Sequence, residues 1–545
     1  MVQKGFGQRL QSPGFWGAIL LASVIVWASF YNLANYPTFW WDEAIFSETA
    51  ANLVQHGRYA FTVQSPDQLS DLDHRISAGP AIILPVALAY RLFGIGVLQG
   101  RVVAGLYLIF TFLALYLASR QLFHRKTAFL AVVLAAMGTE LFGWGRNVMG
   151  DVPALGLFLF ALWLIIRGLA GDSRISLFLG GMSLGLAFDA KEFYAVAFLP
   201  FLGALIWQDR GSLHRLTRHL FALGLGLSIP VLAYLILKAV ILGGIWPAIL
   251  HTLEQKALLR HEFFTPLTVG RLYVQSFGYL FSHPLFLWGL VGALWLWSRG
   301  GLDLGRGLWL SQFFLWSLIY LTAIFWSRFA LPALVLATPL AATVLLRVIS
   351  GLTHGLSPRE AKVVTVGLTL GFFTWLYPLS GVDLMGAIAT CKAHPPDRLV
   401  KYLLENIPRH YLIETPEYEL VFLDDMHRFH LMPAFFLVES SEKGVVLLNP
   451  RRSPYDFNEV KAQVLILGSF GKTIFGQIYP PHKVRKCWRK IAQVDYYDIY
   501  LRRQPVLPTP ANSAHTGIVS SRTQQLNLKG SKGHAPNTPH GSIAH

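Results

Sequence analysis

The chain is 545 residues long, with 53% hydrophobic residues, 14% charged residues and a mean hydropathy of +0.45. A soluble protein has about 25% charged residues, so this chain has too few charges to cover a large globule in water. The composition therefore predicts a membrane protein. The net charge is +16, but the basic residues form short clusters between apolar runs, which favours membrane topology over nucleic-acid binding. The only cysteines, Cys391 and Cys487, exclude a disulfide scaffold and a cysteine-rich metal site, and leave open whether the two form a bond.

Apolar stretches recur along residues 1–381 and predict eleven transmembrane helices. The first, at 15–34, follows Lys4 and Arg9 and is longer than the core of a signal peptide, so we expect it to be retained with its N-terminus in the cytoplasm. The other ten are predicted at 102–119, 127–145, 152–170, 175–188, 193–207, 219–243, 284–298, 307–325, 329–346 and 361–379.

The segment 78–97 is apolar enough to span but contains Arg91 and two prolines. If it does not cross, the basic loops between the spans all lie in the cytoplasm, as the positive-inside rule expects. We therefore predict that it lies at the outer interface or dips into the membrane. The pair 175–188 and 193–207 is short for two crossings, but an error there changes the count by two and keeps the topology.

The C-terminal part differs in composition from the rest. Residues 382–503 are polar and mixed, and the same topology places them outside. Helical spacing at 396–406 and strand patterns at 463–469 and 494–501 predict a small external α/β domain. Residues 504–545 have few large apolar side chains and are predicted to be a disordered tail. The expected fold is a polytopic α-helical membrane protein with this domain attached.

Charged residues recur in the loops predicted to lie outside. In the first outer loop, 35–101, Asp42 and Glu43 follow two tryptophans and start a segment with the period of an amphipathic helix. They are either acids that face water or a base beside a membrane-embedded substrate. The second outer turn contains Arg146 and Asp151, and Asp151 is also a plausible N-cap.

The next three outer turns add cations and histidines. Lys191 stands beside Asp189 in the third turn, where charges so close to hydrocarbon usually line a cavity or form an ion pair. His251 and His261 in the fourth loop are candidates for a divalent cation or ordinary loop residues, because their spacing matches no specific metal pattern. Arg328 stands alone in the fifth turn and favours an anion. Together these residues indicate one outward-facing pocket, suited to a transfer reaction in which a lipid phosphate departs.

The order of these motifs resembles the membrane-embedded GT-C glycosyltransferases. The motifs are the acidic pair after Trp-Trp, an Arg-x-x-x-x-Asp-x-Pro turn from Arg146 to Pro153, a lysine-bearing turn, and an Arg-Phe-x-Leu-Pro turn that begins at Arg328. Across about residues 10–380 the chain is similar to glycosyltransferase family 39, which contains the dolichyl-phosphate-mannose–protein mannosyltransferases and the bacterial aminoarabinose transferases. The stretch 414–425 more weakly resembles the external part of some bacterial members.

The resemblance implies a function and a location. It implies inverting transfer of a sugar from a polyprenyl-phosphate donor to a protein, lipid or envelope-glycan acceptor. The reaction is expected at the outer face of the plasma (inner) membrane, without nucleic acid.

It also implies roles for single residues. Asp42 would be the base, with Glu43 and Asp151 in the catalytic set. Arg146, Lys191 and Arg328 would bind the donor phosphate.

One motif of the family departs from its usual form in this chain. Where many relatives have Lys-Pro-Pro or His-Pro-Pro, this chain has His-Arg-Ile-Ser-Ala-Gly-Pro from His74 to Pro80. This makes Arg75 a candidate substitute for the lysine. Some relatives use a metal and others do not, so a divalent cofactor stays open.

The alternative function is that of a multi-span transporter or lipid flippase. Transporters usually have repeated halves and charged or broken-helix sites near the membrane midplane. Here Lys238 is the clearest charge well inside a span, and the two halves do not match. A bundle that merely anchors an external binding domain would leave Asp42, Asp151 and Arg328 without a purpose.

Overall fold

The computed structural model describes most of the chain, and the described residues, which all lie between 13 and 503, belong to one compact unit. The predicted tail, 504–545, and Cys391 lie outside the described residues, so the tail and a bond to Cys487 stay predictions or open questions. The described residues are 13–64, 68–263, 270–300, 302–322, 326–389, 394–432, 437–441, 444–448, 455–476 and 478–503.

The helices follow the predicted spans, each of which overlaps one helix or a broken pair. Two 3₁₀ segments, Glu192–Ala197 and Ser327–Ala330, lie in the turns predicted as the third and fifth outer turns, and these names are kept below for the predicted positions. The helices that precede the C-terminal region are α1 (Pro13–Phe30), α2 (Trp41–His56), α3 (Pro80–Phe93), α4 (Val97–Leu122), α5 (Arg125–Gly138), α6 (Leu141–Trp144), α7 (Asp151–Ala170), α8 (Arg174–Ala190), α9 (Phe198–Asp209), α10 (Leu213–Leu242), α11 (Ile245–Phe263), α12 (Gly270–Ser282), α13 (Pro284–Ser298), α14 (Leu304–Thr322), α15 (Leu331–Leu352) and α16 (Pro358–Ala389).

Four helical segments in the described part of the chain are long and apolar enough to cross a membrane on their own. They are α4, α7, α10 and the segment Ser327–Leu352, and a fifth arises if the pair Val274–Ser282 and Pro284–Ser298, bent by 76°, counts as one span. Others are short: the 12 residues of α9 rise only about 18 Å against a hydrocarbon core of about 30 Å. Length and composition thus support a membrane protein but do not confirm the count of eleven spans.

Helices α8 and α10 pack closely against each other. A Cβ added to Gly181 on α8 would lie 2.1 Å from the carbonyl oxygen of Leu223 on α10, and one added to Gly226 would lie 2.0 Å from that of Phe178. Only glycine permits this approach of two backbones, as is common in membrane bundles. The end of α8 that leads to Lys191 is therefore fixed against α10.

The remaining elements form a mixed sheet with short helices. The sheet has seven strands in the order β2-β1-β4-β3-β7-β9-β8, with β3 parallel to both β4 and β7 and the other pairs antiparallel. The strands are β1 (Ala60–Gln64), β2 (Gln68–Asp71), β3 (Leu412–Thr415), β4 (Arg428–Leu431), β7 (Val464–Leu467), β8 (Trp488–Val494) and β9 (Tyr497–Arg502), with a separate hairpin of β5 (Leu437–Ser441) and β6 (Gly444–Leu448). The helices are α17 (Pro395–Asn406), α18 (Glu419–Leu423), α19 (Ser469–Lys472) and α20 (Pro481–Cys487).

The sheet joins two distant parts of the chain. Strands β1 and β2 belong to the first outer loop, and β1 pairs with β4 through Gln64 and His430. The helix and strands predicted at 396–406, 463–469 and 494–501 are present as α17, β7 and β9. The boundary of an external domain at residue 382 stays a prediction.

Candidate active site

Asp42 and Arg328 form an ion pair across 286 positions of sequence. Asp42 lies in the first turn of α2, where the helix dipole favours a carboxylate. An Arg328 terminal nitrogen lies 2.5 Å from Oδ2 of Asp42, and the two side chains are 3% and 14% exposed, respectively. The structure therefore brings the predicted base and one predicted phosphate-binding residue into direct contact.

Aromatic rings surround the guanidinium of Arg328. Its Cζ lies 4.3 Å from the ring centroid of Trp326, 5.2 Å from that of Phe329, and 5.7 Å from those of Trp40 and Trp144. Cation–π attraction and planar stacking fix a guanidinium in such a site. The charge is thus held in a poorly solvated place, where its attraction for an anion is stronger than in water.

Glu140 supports this aromatic site, although sequence reasoning did not assign it to the site. Its Oε2 accepts hydrogen bonds from Nε1 of Trp144 at 2.7 Å and from the hydroxyl of Ser327, and its Oε1 accepts one from the hydroxyl of Tyr279 at 3.0 Å. The carboxylate therefore joins three segments beside Arg328. The signal in the sequence is a single acid within an apolar run.

Glu43 is completely buried against Arg101. Nε and an outer nitrogen of Arg101 lie 2.8 Å and 2.6 Å from its two oxygens, and both side chains are 0% exposed. Its Oε1 also accepts the backbone N–H of Val148 at 3.1 Å, while Arg101 donates to the carbonyl oxygen of Leu33. Glu43 thus links α2, α4 and the second outer turn, a geometry that favours a supporting role, and Arg101 is a partner that sequence reasoning missed.

The second outer turn places Arg146 and Asp151 in buried positions. Arg146 donates to the carbonyl oxygen of Tyr31 and lies 5.7 Å from the ring of Tyr36. Asp151 is 4% exposed, and neither of its oxygens has a hydrogen-bond partner within the described part of the chain. The interpretation of Asp151 as an N-cap is wrong, because α7 begins at Asp151 itself and Gly150 is the cap residue. A buried carboxylate without a hydrogen-bond partner in the protein is unusual, and a contact with a bound ligand would explain it.

The third outer turn lies against the second. A Cβ on Gly150 would lie 2.1 Å from the carbonyl oxygen of Ala190, so the residues that follow each of them, Asp151 and Lys191, belong to touching turns. Lys191 is buried and its Nζ lies 3.2 Å from the hydroxyl of Ser77 in the first loop. Loop one and two turns therefore meet at this point.

Asp189 is a further titratable group in the same turn. Burial, together with the negative charge of Glu192, raises the pKa of Asp189 to about 7, while Lys238 opposes the shift. A Cβ on Gly79 would lie 2.0 Å from the carbonyl oxygen of Asp189, which shows how closely the first loop approaches this turn.

Arg75 is held in the first loop by contacts with other residues. It makes two hydrogen bonds with the carboxylate of Asp73, at 2.7 Å and 3.0 Å, and one with the hydroxyl of Tyr418 at 3.2 Å. Its guanidinium also lies 4.6 Å from the ring of Phe61. The geometry favours a structural role over the predicted contact with the donor phosphate, which stays untested.

The structure does not place the histidines predicted as metal candidates in a cluster of metal ligands among the described residues. Nε2–H of His251 donates to the carbonyl oxygen of Leu72 at 2.8 Å, and the ring stacks on that of His74 at 4.5 Å. Burial, with the charges of His74 and Lys238, lowers the pKa of His251 to about 4, so this imidazole is neutral at pH 7. No group of three or more His, Cys, Asp or Glu residues in the described part could hold a metal ion, and the side chain of His261 lies outside it.

The outer turns form one region, with two groups of polar residues. Asp42 and Arg328 make the first, and Asp151 and Lys191 belong to the second. Glu43 bonds loop one to the second turn, and Phe193 and Phe329 pack edge to face at 5.8 Å between the third and fifth turns.

The helical architecture beside a mixed sheet, and the polar residues in the turns predicted to lie outside, can be compared with those of known proteins. Residues 77–236 match the model of the family described as dolichyl-phosphate-mannose-protein mannosyltransferase. A search of curated proteins by sequence found no match.

Solved structures share this fold at low sequence identity. ArnT from Cupriavidus metallidurans bound to undecaprenyl phosphate is 14% identical, with a TM-score of 0.57 over 90% of this chain and 98% of that chain. The same protein in the apo state has a TM-score of 0.53 with the same identity and coverage. The archaeal oligosaccharyltransferase AglB from Archaeoglobus fulgidus, in complex with an inhibitory peptide and a dolichol-phosphate, is 13% identical, with a TM-score of 0.53 over 91% of this chain and 75% of that chain. The fold and the family match together confirm the resemblance to GT-C glycosyltransferases of the family 39 type.

Proposed function

We propose that this protein is an inverting glycosyltransferase that takes a sugar from a polyprenyl-phosphate donor at the outer face of the membrane. The observation that carries the proposal is the buried contact between Asp42 and Arg328. A carboxylate and a guanidinium in one desolvated site supply the two groups that the reaction needs, a base for the acceptor and a cation for the phosphate. The matched family and the polyprenyl phosphates in the similar structures support the choice of donor.

In the proposed mechanism the reaction is a single displacement. Asp42 takes the proton of the acceptor hydroxyl, and the acceptor oxygen forms a bond to the anomeric carbon. The bond from that carbon to the donor phosphate oxygen breaks on the opposite face, so that the phosphate leaves with the bonding electrons and the configuration inverts. Arg328 binds the donor phosphate, which already carries one negative charge in the ground state, and keeps this contact as the second charge grows on departure. Its aromatic surroundings keep the guanidinium in place, so little reorganisation is needed during the reaction.

The neighbouring residues have proposed supporting roles. Lys191 is a second cation for the donor phosphate, and Arg146 shapes the same region from the second turn. Asp151, a buried carboxylate at the start of α7, is suited to hold a hydroxyl of the sugar or the acceptor. Glu43 keeps α2 in place through Arg101.

The shape of the pocket, rather than these charged residues, decides which sugar is transferred and which acceptor receives it. Protein, lipid and envelope-glycan acceptors all remain within the proposal. The topology of the proposal has eleven spans, a cytoplasmic N-terminus and residues 382–503 on the outer side of the plasma membrane.

The base is tested with the purified full-length protein. Radiolabelled polyprenyl-phosphate mannose is supplied with a cell-envelope extract, and transfer of the label to acceptor is counted. We expect Asp42→Asn to lower transfer by about 100-fold or more, since a general base contributes about 10²–10⁴-fold. Asp71→Asn is the control, because Asp71 is an exposed acid of the same loop, paired with Arg58. Transfer by Asp42→Asn at the rate of the control would remove Asp42 as the base.

A separate experiment tests on which side of the membrane the 120–126 loop lies. A single cysteine is placed in the 120–126 loop of a variant that carries Cys391→Ser and Cys487→Ser, and whole cells are treated with a membrane-impermeant maleimide. We expect no labelling from outside, whereas a cysteine placed at Asp71 should react. Labelling of the 120–126 loop from outside would mean that 78–97 crosses the membrane, and the outer-face assignment would be wrong.

A further inference from the structure

The two tryptophans that directly precede the proposed base are held by the C-terminal region. Nε1 of Trp41 donates to the carbonyl oxygen of Pro416 at 3.0 Å, and its ring stacks on those of Tyr418 at 4.7 Å and Phe470 at 5.1 Å. The ring of Trp40 stacks on Phe470 at 6.3 Å. Phe470 therefore contacts both tryptophans, although more than 400 residues separate them along the chain.

Phe470 stands on a tight turn that is built around a buried carboxylate. The backbone N–H groups of Gly468 and Gly471 each donate to Oε1 of Glu417 at 2.8 Å. A Cβ on Gly468 would lie 2.8 Å from Cδ of Glu417, and one on Gly471 would lie 3.0 Å from Cγ of Pro416. Glycine at both positions leaves room for this close approach, and Phe470 lies between them.

The arrangement is costly, because Glu417 is fully buried. Burial, together with the charge of Glu419, raises the pKa of Glu417 to about 8, although the backbone N–H groups oppose the shift. Both hydrogen bonds fall on Oε1, and within the described residues Oε2 has no hydrogen-bond partner. A protonated or an ionised carboxyl can accept both bonds through Oε1. What the turn needs from this residue is thus an acceptor at one point rather than a negative charge.

The contacts of Phe470 lead to both partners of the Asp42–Arg328 ion pair. Trp41 is the first residue of α2 and is followed directly by Asp42. Trp40 is one of the rings around the guanidinium of Arg328, at 5.7 Å. A shift of Phe470 therefore moves the backbone that carries Asp42 and also one wall of the Arg328 site.

We propose that Glu417 is a positioning residue, which through the glycine turn and Phe470 sets the place of Asp42 relative to Arg328. This rests on the proposed function, in which Asp42 is the base. The C-terminal region thereby supports the site through Phe470, without a contact to substrate. Misplacement of a reacting group by about 1 Å can cost about 100-fold in rate, so such a support has a measurable effect.

The test compares four variants of the full-length protein in the polyprenyl-phosphate mannose assay. Phe470→Ala and Glu417→Ala should lower kcat by about 10- to 100-fold and change the donor KM by less than about threefold, since the support acts on placement rather than on binding. Glu417→Gln should stay within about threefold of the wild-type kcat, because its amide oxygen can accept both N–H groups.

Phe457→Ala is the matched control. Phe457 is a buried aromatic residue of the same region that packs on Tyr479. Phe470 is only half-buried. Phe457→Ala should therefore lower the unfolding temperature more than Phe470→Ala does, and yet lower kcat less.

A second measurement needs no substrate. Hydrogen exchange of the peptide that covers residues 38–48 is followed in the full chain by mass spectrometry. It should become faster in Phe470→Ala and Glu417→Ala, and stay unchanged in Glu417→Gln and Phe457→Ala. If Asp42→Asn retains full transfer, the proposed function fails, while the exchange result still reports on the contact itself.

Three results would overturn the positioning role. The first is a wild-type kcat in Phe470→Ala. The second is equal loss in Glu417→Gln and Glu417→Ala, which would assign the effect to charge. The third is a kcat loss in Phe457→Ala as large as that in Phe470→Ala, which would assign it to general destabilisation.

Discussion

The buried pair of Glu43 and Arg101 allows a quantitative prediction about the first outer loop. We consider Arg101→Met, which keeps much of the side-chain volume and removes the charge. The variant leaves the Glu43 carboxylate, which is 0% exposed, with one hydrogen-bond donor among the described residues, the backbone N–H of Val148. Such a charge is expensive because it has lost both water and its counterion.

The magnitude follows from the geometry of the pair. Removal of one partner of a fully buried ion pair costs about 3–5 kcal/mol. In Glu43→Leu combined with Arg101→Met no charge is left unpaired, and the cost falls to that of the orphaned N–H of Val148, about 1–3 kcal/mol. The double variant should therefore be more stable than Arg101→Met alone.

The assay is thermal unfolding of the purified protein in one detergent at one scan rate, because membrane proteins often unfold irreversibly and the midpoint then depends on the rate. Arg58→Met is the control, since Arg58 forms an exposed pair with Asp71 in the same loop, with side chains 44% and 35% exposed. An exposed pair contributes about 0–1 kcal/mol, so the control should unfold close to the wild type.

Two outcomes would refute this reasoning. One is unfolding of Arg101→Met within the error of Arg58→Met, and the other is a double variant that is no more stable than Arg101→Met. Either result would show that Glu43 and Arg101 do not form the buried pair that links α2, α4 and the second outer turn. Loss of this pair should also lower transfer, because Asp42 lies directly before Glu43.

Three further predictions concern the groups around this site. Glu140→Ala should lower transfer by about tenfold or more. Glu140→Gln should lower it much less, because an amide oxygen still accepts hydrogen bonds from the indole of Trp144 and the hydroxyl of Ser327. Equal loss of transfer in both variants would contradict this role. Arg328→Ala should raise the donor KM by a larger factor than it lowers kcat, because the guanidinium binds the donor phosphate in the ground state. Steady-state kinetics measures both factors. A loss of kcat with an unchanged donor KM would place the effect of Arg328 in the transition state alone. Burial raises the pKa of Glu417 to about 8 and that of Glu419 to about 7. The folded state therefore binds more protons than the unfolded state between about pH 4.5 and 8. The stability of the fold decreases as pH rises through this window. The unfolding temperature of Glu417→Gln relative to wild type should therefore rise from pH 5 to pH 9, and a constant difference would argue against the raised pKa.

Local patterns in the sequence predicted a large part of this fold. Helices appear at each of the predicted spans because an apolar run of about 20 residues has few other solutions in a membrane. The strands at 463–469 and 494–501 followed from alternation and β-branched or aromatic residues. The breaks within spans were harder to predict: α5 ends at Gly138 and α6 begins at Leu141, although Glu140 is the only charged residue of 127–145.

The candidate site was predicted in its members but not in its contacts. Asp42 and Arg328 were singled out as charges in successive outer turns, and the structure puts them in contact. The partner of Glu43 was missed because Arg101 lies 58 positions away at the start of an apolar helix. Arg75 was assigned to the donor, but its carboxylate partner is Asp73, two positions away, in a geometry that spacing alone does not reveal.

The sequence by itself determined the class of this protein, the positions of its helices and the order of its charged turns. These properties are local, since hydropathy and periodicity act over a few turns of chain. Only the tertiary structure decided which charges meet, how Glu140 and Arg101 support their neighbours, and that the first loop shares a sheet with residues 412–502. Such contacts join residues far apart in sequence, and packing decides them through burial, which a one-dimensional pattern does not contain.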